Sequence, residues 1–350
     1  PLEKFLGGDR GFDVLFAPGP RVSLDAFVPL KSMVLLDLLD NVSSRLVEAR
    51  RGEDGKWTKR DVDAPKLSNL NAAAFDRRES DDYFLFVTGF TTPTTLHLAK
   101  GGTDAREKLK SLPDFFDASN LAVTQHEATS KDGTKIPYFQ VMRKDAKADG
   151  KNPTILYGYG GFEVSQVPTY SGFVGNGWLA KGGVWVLSNL RGGGEFGPEW
   201  NRVARRGGRQ KTHDDYAAVA EDLIRRKVTS PAKLGILGGS QGGLLVSATM
   251  LQRPELFGAV VATVPLMDMK RYHKLLAGHS WMGEYGDPDK PEDWAFISKY
   301  SPYQNIKDGT AYPAVFLTAG ENDTRVHPMH ARKMAARLQA ATTSATGRNP

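Results

Sequence analysis

Ser240 stands in the run Gly238-Gly239-Ser240-Gln241-Gly242-Gly243, with the apolar stretch Leu234–Leu237 before it and the helix-compatible stretch Leu244–Leu251 after it. Strand, sharp turn carrying a serine, then helix is the arrangement of a nucleophile elbow. The flanking glycines suit a turn that is strained and crowded, where a side chain has little room. The chemistry of such a serine is acyl transfer. Its hydroxyl attacks a carbonyl, a general base takes the proton, and a carboxylate orients the base.

On an α/β-hydrolase framework the acid and then the histidine follow the serine in the chain. Asp323 is the best-placed acid, on the loop Ala319-Gly320-Glu321-Asn322-Asp323 after the apolar run Ala314–Leu317. Strand ends of this kind present side chains to a site; the competing reading is an exposed loop carboxylate. Of the seven histidines, only His327 and His330 follow Asp323, both at the start of the last helical pattern. A triad histidine ordinarily follows one more strand, so neither is expected to be the base. The chain is therefore expected to be a fragment, inactive by itself, whose triad histidine lies beyond Pro350. For the oxyanion, two donors are needed. The elbow supplies the Gln241 N–H, and the glycine-rich Tyr157-Gly158-Tyr159-Gly160-Gly161-Phe162 is placed to supply the second.

The elements that must position these residues have two textures. Up to about Pro113, short apolar stretches alternate with turn residues, as in Phe12–Phe16, Ser32–Leu36, Arg45–Ala49 and Tyr83–Val87. Each is one strand long, which predicts an all-β meander. From about Val123 strands alternate with helices. Thr154–Tyr157, Val184–Leu187, Leu234–Leu237, Ala259–Val264 and Ala314–Leu317 are the strand candidates. Tyr216, Val219, Ala220, Leu223 and Ile224 share one helical face, and a final helix turns Ala331, Met334, Ala335 and Leu338 inward. This pattern predicts an α/β domain with a mostly parallel sheet covered on both faces.

Composition narrows the partners. Lys and Arg number 46 against 40 Asp and Glu, a net charge of +6 that is spread rather than gathered into a stripe with aromatics, so no nucleic-acid partner is expected. No apolar run approaches the ~20 residues that cross a bilayer, and no membrane partner is expected. There is no cysteine, which excludes disulfides and thiolate sites. Leu190–Gly197 contains a G-x-G-x-x-G pattern, but Pro198 and the run Arg205–Gly208 interrupt the helix that a dinucleotide site requires. His327-Pro-Met-His330 has no further ligands, so neither a metal nor any other cofactor is expected.

Five segments together resemble the prolyl oligopeptidase family of serine peptidases. They are Tyr157–Phe162, Asn189–Gly197, the elbow, Met267-Asp268-Met269 and Asp323-Thr324-Arg325-Val326. The likeness is strong from about residue 115 and looser before it. It implies residues 1–115 as the last blades of a β-propeller and 116–350 as an α/β-hydrolase peptidase domain. It implies Ser240 as nucleophile, Asp323 as the acid, and the Tyr159 hydroxyl beside the Gln241 N–H as oxyanion donors. Phe162, Trp281 and Tyr285 match the aromatic walls of a proline-binding S1 pocket, with Leu266 and Val326 beside them, and Arg325 matches the residue that holds a substrate carbonyl. A proline ring suits such walls because it is rigid, apolar and has no N–H to satisfy. The implied activity is cleavage of short peptides after proline by a monomer. The compartment is expected to be cytoplasmic, with the periplasm as the alternative.

Each transfer has a plainer reading. Trp281 and Tyr285 could be core aromatics, Phe162 could pack under its glycine turn, and Arg325 could pair with Glu321. The chain departs from the family pattern at Gln241, where Asn is frequent, and at Thr324, where an acid is common. The alternative functions are an acylaminoacyl-type peptidase or esterase on the same fold, and a non-catalytic binding protein using its propeller.

Overall fold

In the computed structural model, residues 2–344 are described, and the chain divides into two compact units. One reaches to Val87 and takes in Thr95–Ser111; the other holds Thr88–Thr94 and the chain from Leu112.

The first unit contains two antiparallel four-stranded sheets. One is β1 (Val22–Pro29), β2 (Met33–Asp40), β3 (Ser43–Arg51) and β4 (Trp57–Asp61), in that spatial order. The other is β5 (Asn69–Ala74), β6 (Tyr83–Thr88), β7 (Thr95–Ala99) and β8 (Arg106–Ser111). Consecutive strands joined by tight turns in four-stranded sheets are the form of propeller blades. Alternate side chains such as Met33, Leu35, Leu46, Tyr83 and Leu85 form a shared core. Phe12–Phe16, expected as a strand, is not one. Five residues of strand-like composition form a strand only where a neighbouring edge accepts their hydrogen bonds.

The second unit is built on one seven-stranded sheet. Its strands are β9 (Leu121–Thr129), β10 (Lys135–Arg143), β11 (Thr154–Tyr157), β12 (Val184–Ser188), β13 (Leu234–Gly239), β14 (Ala259–Thr263) and β15 (Ala314–Thr318). Their spatial order is β15-β14-β13-β11-β12-β10-β9. The first five strands in that order pair in parallel, and β10 and β9 close the edge as an antiparallel hairpin. The helices Gln210–Arg225, Gln241–Gln252 and Met329–Ala341 send Tyr216, Val219, Leu223, Leu245, Met250, Met334 and Leu338 into one core with Leu156, Val186, Ile236 and Val260.

The expectation of two covered faces is corrected here. On the opposite face Ile155, Leu237 and Val261 are half-buried, and Phe316 is 62% exposed. The connection from β11 to β12 explains part of this, since its longest helix is the six-residue Gly172–Gly177. That is too short to cover a sheet face, whereas each of the three helices on the other side has 12 residues or more.

Candidate active site

Parallel strands all end at the same edge, and loops at that carboxyl edge are where α/β sheets build their sites. Residues 158–162 follow β11, 240–241 follow β13, 264–266 follow β14 and 319–326 follow β15.

Ser240 leaves β13 at φ 55° and ψ −114°. A non-glycine residue held there is strained by about 1–3 kcal/mol, and persists only when its surroundings fix it. Its own N–H donates to the Thr263 carbonyl at 2.9 Å. The glycine spacing follows from space. A Cβ on Gly238 would lie 2.2 Å from the Gly242 oxygen, and one on Gly242 would lie 2.5 Å from the Gly158 oxygen. The helix then begins at Gln241, so the Gln241 N–H lies in the first turn, where it has no intrahelical acceptor. The positive end of the helix dipole adds to its pull on an anion.

The loop after β11 is held in an unusual backbone shape, with φ +63° at Gly160, +55° at Phe162 and +59° at Glu163. Tyr159 is half-buried, and burial raises its phenol pKa. The Gln241 side chain, wholly buried, has Nε2 3.4 Å from the carbonyl oxygens of both Tyr159 and Gly160. Its Oε1 accepts the Tyr285 hydroxyl. The side chain of the residue after the serine is thus engaged on both sides, a point that its departure from the family pattern had left open.

Phe162, Leu266, Trp281, Tyr285 and Val326 fall in one apolar cluster, separate from the main core. Phe162 meets Tyr285 edge-on at 5.7 Å, and Tyr285 meets Tyr272 edge-on at 5.4 Å. Tyr285 is fully buried, Trp281 is 8% exposed, and Phe162 is half-buried. The core-aromatic and pocket-wall readings of Trp281 and Tyr285 are therefore compatible: they are buried, and they are buried in the cluster that holds the other wall candidates.

Sequence reasoning missed two residues beneath this cluster. Arg209 is fully buried, donates from Nη1 to the Gly160 carbonyl at 2.7 Å and pairs with Glu284. Glu284 Oε1 also accepts the Phe162 N–H at 3.0 Å. Glu284 sits beside Tyr285, the one local hint. Arg209 sits among Arg205, Arg206 and two glycines, a run that resembles a solvated surface.

On the acid side, Asp323 Oδ1 accepts the N–H groups of Arg325 at 2.8 Å and Val326 at 2.9 Å. Its Oδ2 makes no hydrogen bond among the described residues. Arg325 is exposed, and among the described residues no ion pair joins it to Glu321. His330 is buried; its Nδ1 accepts the N–H groups of Met267 at 3.1 Å and Asp268 at 3.0 Å, and burial lowers its pKa to about 4. His327 Nδ1 accepts the Met329 N–H. Among the described residues no histidine is hydrogen-bonded to Ser240 or Asp323. His273, Asp287 and Asp289 form the one group of metal-ligand type among the described residues. The Lys274 ammonium lies 2.8 Å from Asp289 and occupies the carboxylate a cation would need.

A strained serine between a parallel strand and a helix N-terminus, with an acid on a loop two strands away, defines the α/β-hydrolase class of serine hydrolases. The pattern of the prolyl oligopeptidase family matches residues 173–348, and the chain belongs to that family of serine peptidases. An uncharacterised peptidase of Sinorhizobium fredii is 49% identical over 92% of this chain and 44% of its own length. The structure of a post-proline cleaving enzyme from Rickettsia typhi superposes with a TM-score of 0.86 at 40% identity, over 95% of this chain and 48% of that one. Prolyl oligopeptidase B from Galerina marginata, solved bound to a 35-residue hydrolysis and macrocyclization substrate, matches with a TM-score of 0.86 at 30% identity, over 93% and 46%. The chain thus spans about half the length of the relatives it matches. Among the described residues, no helix is long and apolar enough to cross a membrane.

Proposed function

We propose that this chain carries the nucleophile, the triad acid, the oxyanion donors and the S1 pocket of an endopeptidase that cleaves short peptides after proline. The observation that supports this best is the meeting of the elbow with one aromatic cluster at the carboxyl edge of the sheet. Phe162, Trp281 and Tyr285 stand there with Leu266 and Val326. A proline side chain fits an apolar aromatic slot without leaving a donor unpaired.

In the proposed reaction Ser240 Oγ attacks the carbonyl carbon of the proline residue while a histidine takes its proton. The carbonyl oxygen becomes an oxyanion, held by the Gln241 N–H and the Tyr159 hydroxyl. The C–N bond then breaks, the histidine returns the proton to the departing amine, and an acyl-enzyme remains on Ser240. Water, deprotonated by the same histidine, attacks the acyl carbon and releases Ser240. Asp323 orients the base through Oδ2, the oxygen its backbone contacts leave open, and Arg325 holds a substrate carbonyl. The seven histidines here make no bond to Ser240 or Asp323, so the 350 residues alone are expected to turn over no substrate. The working protein is proposed to be a monomer of the cytoplasm that needs no cofactor.

The test is made on the complete protein. Cleavage of short chromogenic peptides after proline, with Ser240 labelled by a phosphonate, is the expected result. Cleavage of acyl esters or of N-acylated residues without a proline preference would sink the S1 assignment. Turnover by the 350-residue chain, lost on His327→Ala or His330→Ala, would overturn the account of the base.

A further inference from the structure

We propose that the buried Arg209–Glu284 pair is a positioning device that sets the width of the S1 pocket and the place of the oxyanion tyrosine. This rests on the S1 and oxyanion roles proposed above. The two walls of the apolar cluster come from distant segments, Phe162 from the loop after β11 and Trp281 with Tyr285 from a short helical segment 120 residues later. No backbone ladder joins them. The pair joins them instead.

Arg209 stands at the start of the helix Gln210–Arg225 with no exposed surface. Nη1 donates to the Gly160 carbonyl at 2.7 Å, Nη2 binds Glu284 Oε1, and the guanidinium lies 5.3 Å from the centre of the Tyr285 ring. Glu284 Oε1 takes the Phe162 N–H at 3.0 Å. One buried carboxylate therefore holds the Phe162 backbone and, through Arg209, the carbonyl next to Tyr159. Gln241 closes the ring of contacts, from the Tyr159 and Gly160 carbonyls to the Tyr285 hydroxyl.

Two further observations show that this loop needs holding. Phe162 and Glu163, neither of them glycine, both sit at positive φ, a shape the chain does not keep unaided. Gly192 and Gly161 leave only enough space for the contacts made: a Cβ on Gly192 would lie 2.4 Å from the Gly160 oxygen, and one on Gly161 would lie 2.7 Å from the Gln241 side chain. The fork of a guanidinium can bind a carbonyl and a carboxylate at fixed separation, which a point charge cannot.

The pair is tested in the complete protein with the double variant Arg209→Met with Glu284→Met. Removing both charges avoids the unpaired buried ion that makes a single truncation prone to misfold. With a loop displaced by ~1 Å, kcat/KM on a post-proline chromogenic peptide is expected to fall about 100-fold, largely in kcat. The preference for proline over alanine at the cleavage position is expected to narrow. Glu284→Asp should recover part of both, as a merely structural role would not require. Exchange of the exposed Glu199–Arg202 pair for two alanines is the control and should change neither. A crystal structure of the double variant reads the same point without activity. Residues 159–162 or 281–285 should move; if they superpose within error, or if kcat and the proline preference are unchanged, the inference is overturned. If the unaltered protein does not cleave after proline, the substrate reading falls, and the crystallographic comparison alone decides the role of the pair.

Discussion

The serine side and the acid side of the candidate site are built in opposite ways. Around Ser240, Gln241–Met250 are all buried, the glycines pack to the limit of contact, and Gln241 and Arg209 tie down the neighbouring loop. Around Asp323, Glu321, Asn322, Thr324 and Arg325 are all exposed, and the carboxylate is held by two N–H groups of its own loop. In the proposed reaction the serine side holds an oxyanion, a task that calls for donors fixed in advance, and this is the closely packed side. The acid side, proposed only to orient a base, keeps one carboxylate oxygen open.

Four sets of changes would break or sharpen this contrast. The largest effects are expected on turnover. In the complete protein Ser240→Ala and Asp323→Asn should each lower kcat by ~10⁴ or more, with thermal stability nearly unchanged because Asn keeps the acceptor for the Arg325 and Val326 N–H groups. A turnover loss in Asp323→Asn matched by a collapse in melting temperature would mean the residue is structural.

Next comes His330, which ties the acid-side helix to the loop after β14. It is neutral when folded, with its pKa lowered to about 4 from the usual 6.5, by burial first; Asp268 pulls it up, and His327 and Lys333 push it down. Above pH 6.5 both states are neutral and the stability is fully present. Below that the unfolded chain takes a proton that the folded one refuses, so up to ~3 kcal/mol should be lost between pH 6.5 and 4. Urea unfolding at several pH values reads this, and His330→Gln should flatten the decline. A decline as steep in the variant would assign it to other groups.

Glycines offer a more direct comparison. Gly242→Ala should cost about 1–3 kcal/mol by overpacking against the Gly158 carbonyl. Gly320→Ala, whose nearest neighbour would lie 3.8 Å away, should stay within ~0.5 kcal/mol. Equal costs in a denaturant titration would erase the contrast. The smallest effect is expected from the exposed Glu199–Arg202 pair, where replacement of both residues by alanine should change stability by ~0.5 kcal/mol or less.

Much of the second unit was legible beforehand. Thr154–Tyr157 is a strand with those same ends, and Val184–Leu187, Leu234–Leu237 and Ala314–Leu317 lie within β12, β13 and β15. The hairpin of β9 and β10 went unread, although Asp132-Gly133 at its turn is a strong hairpin signal. In the Ala259–Val264 run the strand stops one residue early, where Val264 turns to φ +40° and leads into Leu266, a candidate wall residue. Arg209 had no local signature and Glu284 only its place beside Tyr285, because 75 residues separate the partners and neither belongs to a recognisable spacing.

Sequence alone determined most elements of the second unit and the candidate nucleophile, because strand periodicity, helical faces and the crowding of the elbow are local demands written in adjacent residues. Ser240, its glycines, the Gln241 N–H and the acid after β15 all follow from such patterns. Only the tertiary structure decided what holds the pocket and which groups are spoken for. It gave His330 to two backbone N–H groups, turned the Gln241 side chain toward Tyr285, and buried Arg209 between two loops. Those outcomes depend on which segments meet across the carboxyl edge of the sheet, a long-range contact that local spacing does not encode.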